Sequence, residues 1–215
     1  MMIEVQNHGF QFEKWMKEAF FGGYSGEYTQ KWDVPAEQNE GDAVPEGFRG
    51  LPVSIKTARY GSPIGLGDAI RQREINVTFV MVAGFWEQKT ASEKWFEDIG
   101  VAKFTEESWG TLWGGLDLSA LHKIDEQVKN PDLHYSEARK LAREWKRETA
   151  KVSKSQIVIN PKIDSKSQRR IQCSLPFAVF WNSIGRPAHR ENFPTLFGRE
   201  FPNPINSPSR TFSRG

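Results

Sequence analysis

The stretch from residue 75 to residue 85 constrains the fold most. Val77, Phe79, Val80, Met81 and Val82 follow one another with almost no polar interruption. Successive residues of a strand point to opposite faces, so a strand apolar at consecutive positions must be covered on both. The apolar run ends near Trp86, well short of the roughly 20 residues a membrane helix needs. The run therefore predicts the buried strand of a layered domain, and the rest of the chain must supply the layers.

One layer is visible at once. Phe12, Trp15, Met16, Ala19 and Phe20 fall at i, i+3, i+4, i+7 and i+8, one face of a helix, and Gly22-Gly23 ends it. Strands are expected at 28–34 and 52–57, separated by a polar loop at 36–50. A loop at 61–67 leads into a short helix at 68–73. Helices are expected at 91–99, 118–128 and 136–152. In the last, Ala138, Leu141, Ala142, Trp145 and Thr149 share a face opposite Arg139, Lys140, Arg143, Lys146 and Arg147, with Ser136 as N-cap. Strands at 156–160 and 170–180 flank a basic turn. The order predicts an α/β domain with a central mixed sheet flanked by helices. It occupies 1–185, with a strand-turn-strand region at about 155–182. Residues 186–215, rich in proline, asparagine, serine and arginine, read as an extended basic tail.

Eight tryptophans and 15 phenylalanines in 215 residues supply core material, with a few free to stack on bases. The single cysteine, Cys173, excludes an intramolecular disulfide and a cysteine metal cluster. It suits a reducing cytoplasm. The N-terminus lacks a basic stretch followed by an apolar run, so no signal peptide is expected. The net charge of +2 hides an asymmetry. Residues 151–215 carry 11 Lys and Arg against 3 Asp and Glu, and residues 1–150 carry 18 against 24. A basic C-terminal third points to a polyanion.

The chemistry-bearing residues lie on the first two strands. Lys31-Trp32-Asp33-Val34-Pro35 delivers a carboxylate at a strand end. Leu51-Pro52-Val53-Ser54-Ile55-Lys56 delivers a lysine 23 positions later. Phosphodiester hydrolysis needs oxygen ligands for Mg²⁺, an in-line water and positive charge against the transition state. Asp33 and the Ile55 carbonyl can ligate the metal. Lys56 can position the water and stabilise negative charge. Glu13, beside the apolar stripe of the first helix, can supply a second carboxylate. Around the basic turn, Asn160, Lys162, Lys166, Gln168, Arg169, Arg170 and Gln172 form a cluster suited to double-stranded DNA. Arginine pairs with guanine edges and amides with adenine, whereas lysine more often meets phosphate. The basic face of the 136–152 helix extends this as a phosphate track, and Arg186, Arg190, Arg199, Arg210 and Arg214 could wrap the duplex. His8, His122, His134 and His189 show no ligand spacing. Neither a dinucleotide fingerprint nor a phosphate-binding P-loop is present.

On the strength of Gly9-Phe10-Gln11-Phe12-Glu13, Lys31 to Pro35, Val53-Ser54-Ile55-Lys56, Ala69-Ile70-Arg71-Gln72 and the apolar run, residues 9–86 resemble the PD-(D/E)xK nuclease superfamily. That superfamily includes many type II restriction endonucleases and the Mrr-like enzymes. The resemblance implies a restriction-endonuclease-like sheet and a Mg²⁺-dependent endonuclease, with Mn²⁺ able to substitute. It implies 5′-phosphate and 3′-hydroxyl ends, a homodimer and a place in restriction-modification. Ser54 stands where the family carries an acid, so Glu13, Asp42 or Glu37 must supply the missing carboxylate. Two alternatives follow: a phage, homing or repair nuclease of the same fold, or a DNA-binding protein that does not cut.

Overall fold

The computed structural model describes residues 7–26, 31–165 and 168–207. The chain is mixed α/β, as expected, and forms two compact units. The first draws on Met1–Ser62, Thr78–Lys103 and Phe180–Gly215; the second on Pro63–Val77 and Phe104–Val179. The units do not part at 185, where the sequence suggested a boundary.

Unit 1 is built on a four-stranded sheet. β1 (Val53–Arg59), β3 (Phe79–Gln88), β4 (Glu93–Phe104) and β9 (Ile205–Asn206) lie side by side in that order. β1 and β3 run parallel, with Lys56 opposite Ala83, and β4 and β9 run antiparallel, so the sheet is mixed. Helix α1 (Asn7–Phe20) buries Phe12, Met16 and Phe20 with Val53, Ile55, Val80, Val82 and Phe96 in one core. On the other face Phe85 meets Phe180 and Trp181, with ring centres at 5.7 and 5.3 Å, in the second part of α6 (Phe177–Ile184). The run at 79–85 is buried throughout because both its faces are covered. Gly84 is required by close approach: a Cβ there would lie 2.6 Å from Phe96 and 2.7 Å from Phe12.

Several expectations need correction. Of the strand expected at 28–34, residues 31–33 form a bend and Val34 makes only an isolated bridge to Val53; residues 28–30 lie outside the described residues. Residues 91–99 are not a helix: after a bend at 91–92, residues 93–99 are the first part of β4, whose charges are tied down by tertiary partners. Glu97, 6% exposed, pairs with Lys89 and Arg190, and Asp98 pairs with Arg186 at 2.9 Å and accepts from His189 N at 2.7 Å. The segment from 186 onward, expected to be extended, buries Leu196, Phe201 and Ile205 and adds β7 (Thr195–Leu196), β8 (Arg199–Glu200) and β9. The Asn203 side chain copies a strand edge: its Oδ1 accepts from Phe96 N at 2.9 Å and its Nδ2 donates to Phe96 O at 2.7 Å.

Unit 2 is a three-stranded antiparallel sheet, β2 (Ile64–Asp68), β6 (Arg169–Leu175) and β5 (Val158–Ile163), in that order. β2 replaces the loop expected at 61–67. Helices α2 (Ala69–Arg73), α3 (Glu106–Trp113), α4 (Leu118–Lys129) and α5 (Tyr135–Ser153) complete the unit. α5 matches its expected range, but its cap is His134, not Ser136. The His134 ring nitrogen accepts from Ser136 N, and Glu137 accepts from His134 N at 3.3 Å. The strand expected at 170–180 ends at Leu175 and gives way to α6.

Candidate functional site

β1 is an edge strand, and its outer edge is where the chemistry gathers. Val53 and Ile55 face α1, so the alternation of the strand sends Ser54 and Lys56 to the opposite face. Beyond the single bridge at Val34, the Ile55 N–H finds a side chain instead of a neighbouring strand. Asp33 Oδ2 accepts from Ile55 N at 2.6 Å, from Lys56 Nζ at 3.0 Å and from Ser54 Oγ at 3.4 Å. Lys56 Nζ also donates to Ile55 O at 3.1 Å. Asp33, Ile55 and Lys56 are thus brought together. Asp33 and Lys56 side chains are 29% and 23% exposed, so the group is open to a substrate from solution.

Glu13 is not part of this network. Its carboxylate pairs with Lys17 one turn along α1, at 2.7 Å, and α1 covers the sheet face opposite Lys56. Of the other acids considered, Asp42 is at the surface with Arg49 at 2.9 Å. Glu37 lines a cavity of about 310 Å³ with Tyr24, Lys31, Trp32, Pro35 and Gln38, among residues that flank Asp33. Among the described residues no three His, Cys, Asp or Glu side chains are grouped to hold a metal ion. The residues present fit a Mg²⁺ ion through one carboxylate and one carbonyl. That donor set is small but chemically suitable, because Mg²⁺ keeps several waters.

In unit 2 the β5–β6 ribbon sorts the basic cluster by strand alternation. Ile159, Ile163, Ile171 and Cys173 are buried, so Asn160 and Lys162 share the outer face with Gln172 and Arg170, their cross-strand partners. Lys162 opposite Arg170 is a like-charge pair, which costs stability unless an anion joins it. Arg169 points elsewhere. Its guanidinium donates to Asn130 O at 2.5 Å, Leu133 O at 2.6 Å and Val128 O at 3.3 Å, closing the C-terminal end of α4. Gln168 N donates to Asp164 Oδ1 at 2.9 Å in the turn. Lys166 lies outside the described residues, as do Arg210 and Arg214.

Beside the ribbon, Arg139, Arg143, Lys146, Asn160, Lys162 and Gln168 line a groove of about 480 Å³, with Asp164 its one acidic residue. Arg139 is anchored, donating through Nε and Nη2 to Ile163 O at 3.1 and 2.9 Å. Arg143, Lys146, Lys162 and Arg170 have no carboxylate partner among the described residues. Arg186 and Arg190, by contrast, are committed to Asp98, Glu87 and Glu97, and Arg199 lies over the Phe20 ring. Arg190 holds the Glu87 carboxyl below its ordinary range by hydrogen bonding.

Unit 1 also holds a buried lysine that no local sequence signal marks. Lys94, 6% exposed, rests 4.3 Å above the Trp86 ring and 3.1 Å from both His8 Nδ1 and Ser207 Oγ, with no carboxylate in contact among the described residues. Burial lowers its pKa. Burial and then the Lys94 charge lower that of His8 to about 4. The Cys173 thiol is pushed up by burial and is unreactive as a nucleophile near neutral pH. No helix among the described residues is long and apolar enough to cross a membrane. Comparison with protein-family models, curated proteins and solved structures found no match.

Proposed function

We propose that this chain is a Mg²⁺-dependent endonuclease of the PD-(D/E)xK type acting on double-stranded DNA, and specifically a type II restriction endonuclease working as a cytoplasmic homodimer. One observation carries the reading: at the outer edge of β1 the Lys56 ammonium lies 3.0 Å from Asp33 Oδ2 and 3.1 Å from Ile55 O. A carboxylate, a carbonyl and an ammonium at one open point match the needs of phosphodiester hydrolysis. The basic ribbon and groove of unit 2 support DNA as the polyanion.

Asp33 and the Ile55 carbonyl would hold the Mg²⁺ ion, with Glu37 the acid placed nearest along the chain to add a second carboxylate. When bound, the metal supplies Lewis-acid stabilisation of phosphoryl charge and a lowered pKa for water. The Ile55 N–H fixes the Asp33 carboxylate on the strand edge. Lys56 turns its ammonium to the scissile phosphate and offsets charge that builds on the nonbridging oxygens. Ser54 keeps the carboxylate in place by a hydrogen bond and is not itself a ligand.

Plasmid cleavage in Mg²⁺ tests the reading. Wild type should give discrete fragments, and Lys56→Ala and Asp33→Ala should give none. A wild type that binds DNA but leaves the plasmid intact with Mg²⁺ or Mn²⁺ refutes it. A second reading, a DNA-binding protein that does not cut, is favoured by Ser54 at the acidic position and by the engagement of Glu13 with Lys17.

A further inference from the structure

Lys56 occupies the point where a divalent cation would bind. Its ammonium is 3.0 Å from Asp33 Oδ2 and 3.1 Å from Ile55 O, so the two candidate ligand oxygens already share one positive centre. The Ile55 N–H bond to Asp33, 2.6 Å, holds the carboxylate in place without help from the ammonium. The Asp33 and Lys56 charges cancel. Glu13, paired with Lys17, brings no further negative charge. A dication approaching Asp33 Oδ2 and Ile55 O therefore meets an ammonium in its place. The lysine sits on a flexible four-carbon stem and is 23% exposed, which leaves it free to turn outward.

We propose that Lys56 is a tethered competitor for the divalent cation, released when a phosphodiester offers its ammonium another partner. The inference rests on the nuclease reading and adds a coupling to it. When Lys56 turns to phosphate, Asp33 Oδ2 and Ile55 O become available to the metal. Metal and phosphodiester then bind cooperatively, each raising the affinity of the other by the same factor. The protein holds its metal site closed until substrate arrives. A lysine that merely braced the strand edge would produce no such coupling.

The test titrates Mn²⁺ into the full chain and counts free ion by electron paramagnetic resonance, with and without dimethyl phosphate as the phosphodiester probe. Wild type should bind Mn²⁺ weakly alone and several-fold more tightly with dimethyl phosphate. Lys56→Met should bind Mn²⁺ at least tenfold more tightly than wild type alone, and gain nothing from dimethyl phosphate. That factor is the order expected for removing one positive charge about 4 Å from a dication in a water-like dielectric. Lys56→Gln, which keeps a donor but no charge, should behave like Lys56→Met and serves if the methionine variant misfolds, as judged by thermal unfolding. If the variants bind Mn²⁺ no more tightly than wild type while wild type still cuts plasmid, this proposal fails and the nuclease reading stands. If neither wild type nor variants bind Mn²⁺ under any condition, both fail.

Discussion

The proposed binding of DNA to the unit 2 groove predicts a definite salt dependence. Arg143, Lys146 and Lys162 line it, and Arg170 stands across the ribbon from Lys162. Each is free of a carboxylate among the described residues and so able to replace one counterion on DNA. Four phosphate contacts predict that log K falls with log[salt] at a slope of about −3.6. Between 50 and 200 mM KCl the affinity should then drop roughly 150-fold, or about 3 kcal/mol. Lys162→Ala should reduce the slope to about −2.7 and weaken all duplexes alike, since a phosphate contact carries no sequence information. Fluorescence anisotropy of a labelled duplex over a KCl series measures the slope directly. Arg169→Ala is the internal control. Its guanidinium is held by three carbonyls of unit 2, so it should lower stability and leave the slope unchanged. A Lys162→Ala slope equal to wild type, or an Arg169→Ala slope that falls by about one, would refute the assignment of the groove.

Two further predictions concern stability. Gly84→Ala should destabilise the chain by about 1–3 kcal/mol, because the Phe12 and Phe96 rings within 2.8 Å of the new methyl are fully buried and cannot retreat; urea unfolding that shows no loss would mean the rings repack. For pH, His8 is a base whose folded pKa, about 4, lies below its unfolded 6.5. The unfolded chain therefore takes up the proton first, and stability is full above pH 6.5 and falls as pH drops toward 4. The loss is about 1–3 kcal/mol after allowance for solvent screening. His8→Phe should flatten denaturation midpoints measured from pH 7 to 4, and an unchanged profile would contradict this origin.

The sequence revealed the elements that depend on one dominant local signal. The apolar run at 79–85 and the stripe of α1 needed only period and hydrophobicity. Asp33 and Lys56 could be paired because one is the lone carboxylate and the other the lone charge of a short, largely apolar segment. β4 was hidden because Lys94, Glu97 and Asp98 are buried by partners far away in sequence, among them Arg186 and Arg190, and local pattern assigns such residues to solvent. Glu13 looked like a ligand on chain position alone, but strand alternation, visible only once α1 is seated, turns Lys56 to the other face. The segment 186–207 had the composition of a free tail, yet Phe201, 1% exposed, and Asn203 dock it onto β4. Arg169 illustrates the same limit: charge is legible, but the carbonyls that consume it are not.

The way unit 1 is threaded has a consequence for how the protein is made. Its sheet needs β1 and β3 from the first half of the chain and β9 from the end. Most of unit 2, by contrast, is one unbroken stretch from Phe104 to Val179. During synthesis unit 2 can close as it emerges, whereas unit 1 must wait for Phe201 and Ile205 to leave the ribosome. The Asp33–Lys56 edge thus belongs to the half that matures last. A nascent chain would present the basic groove before the Asp33–Lys56 edge rests on a finished core.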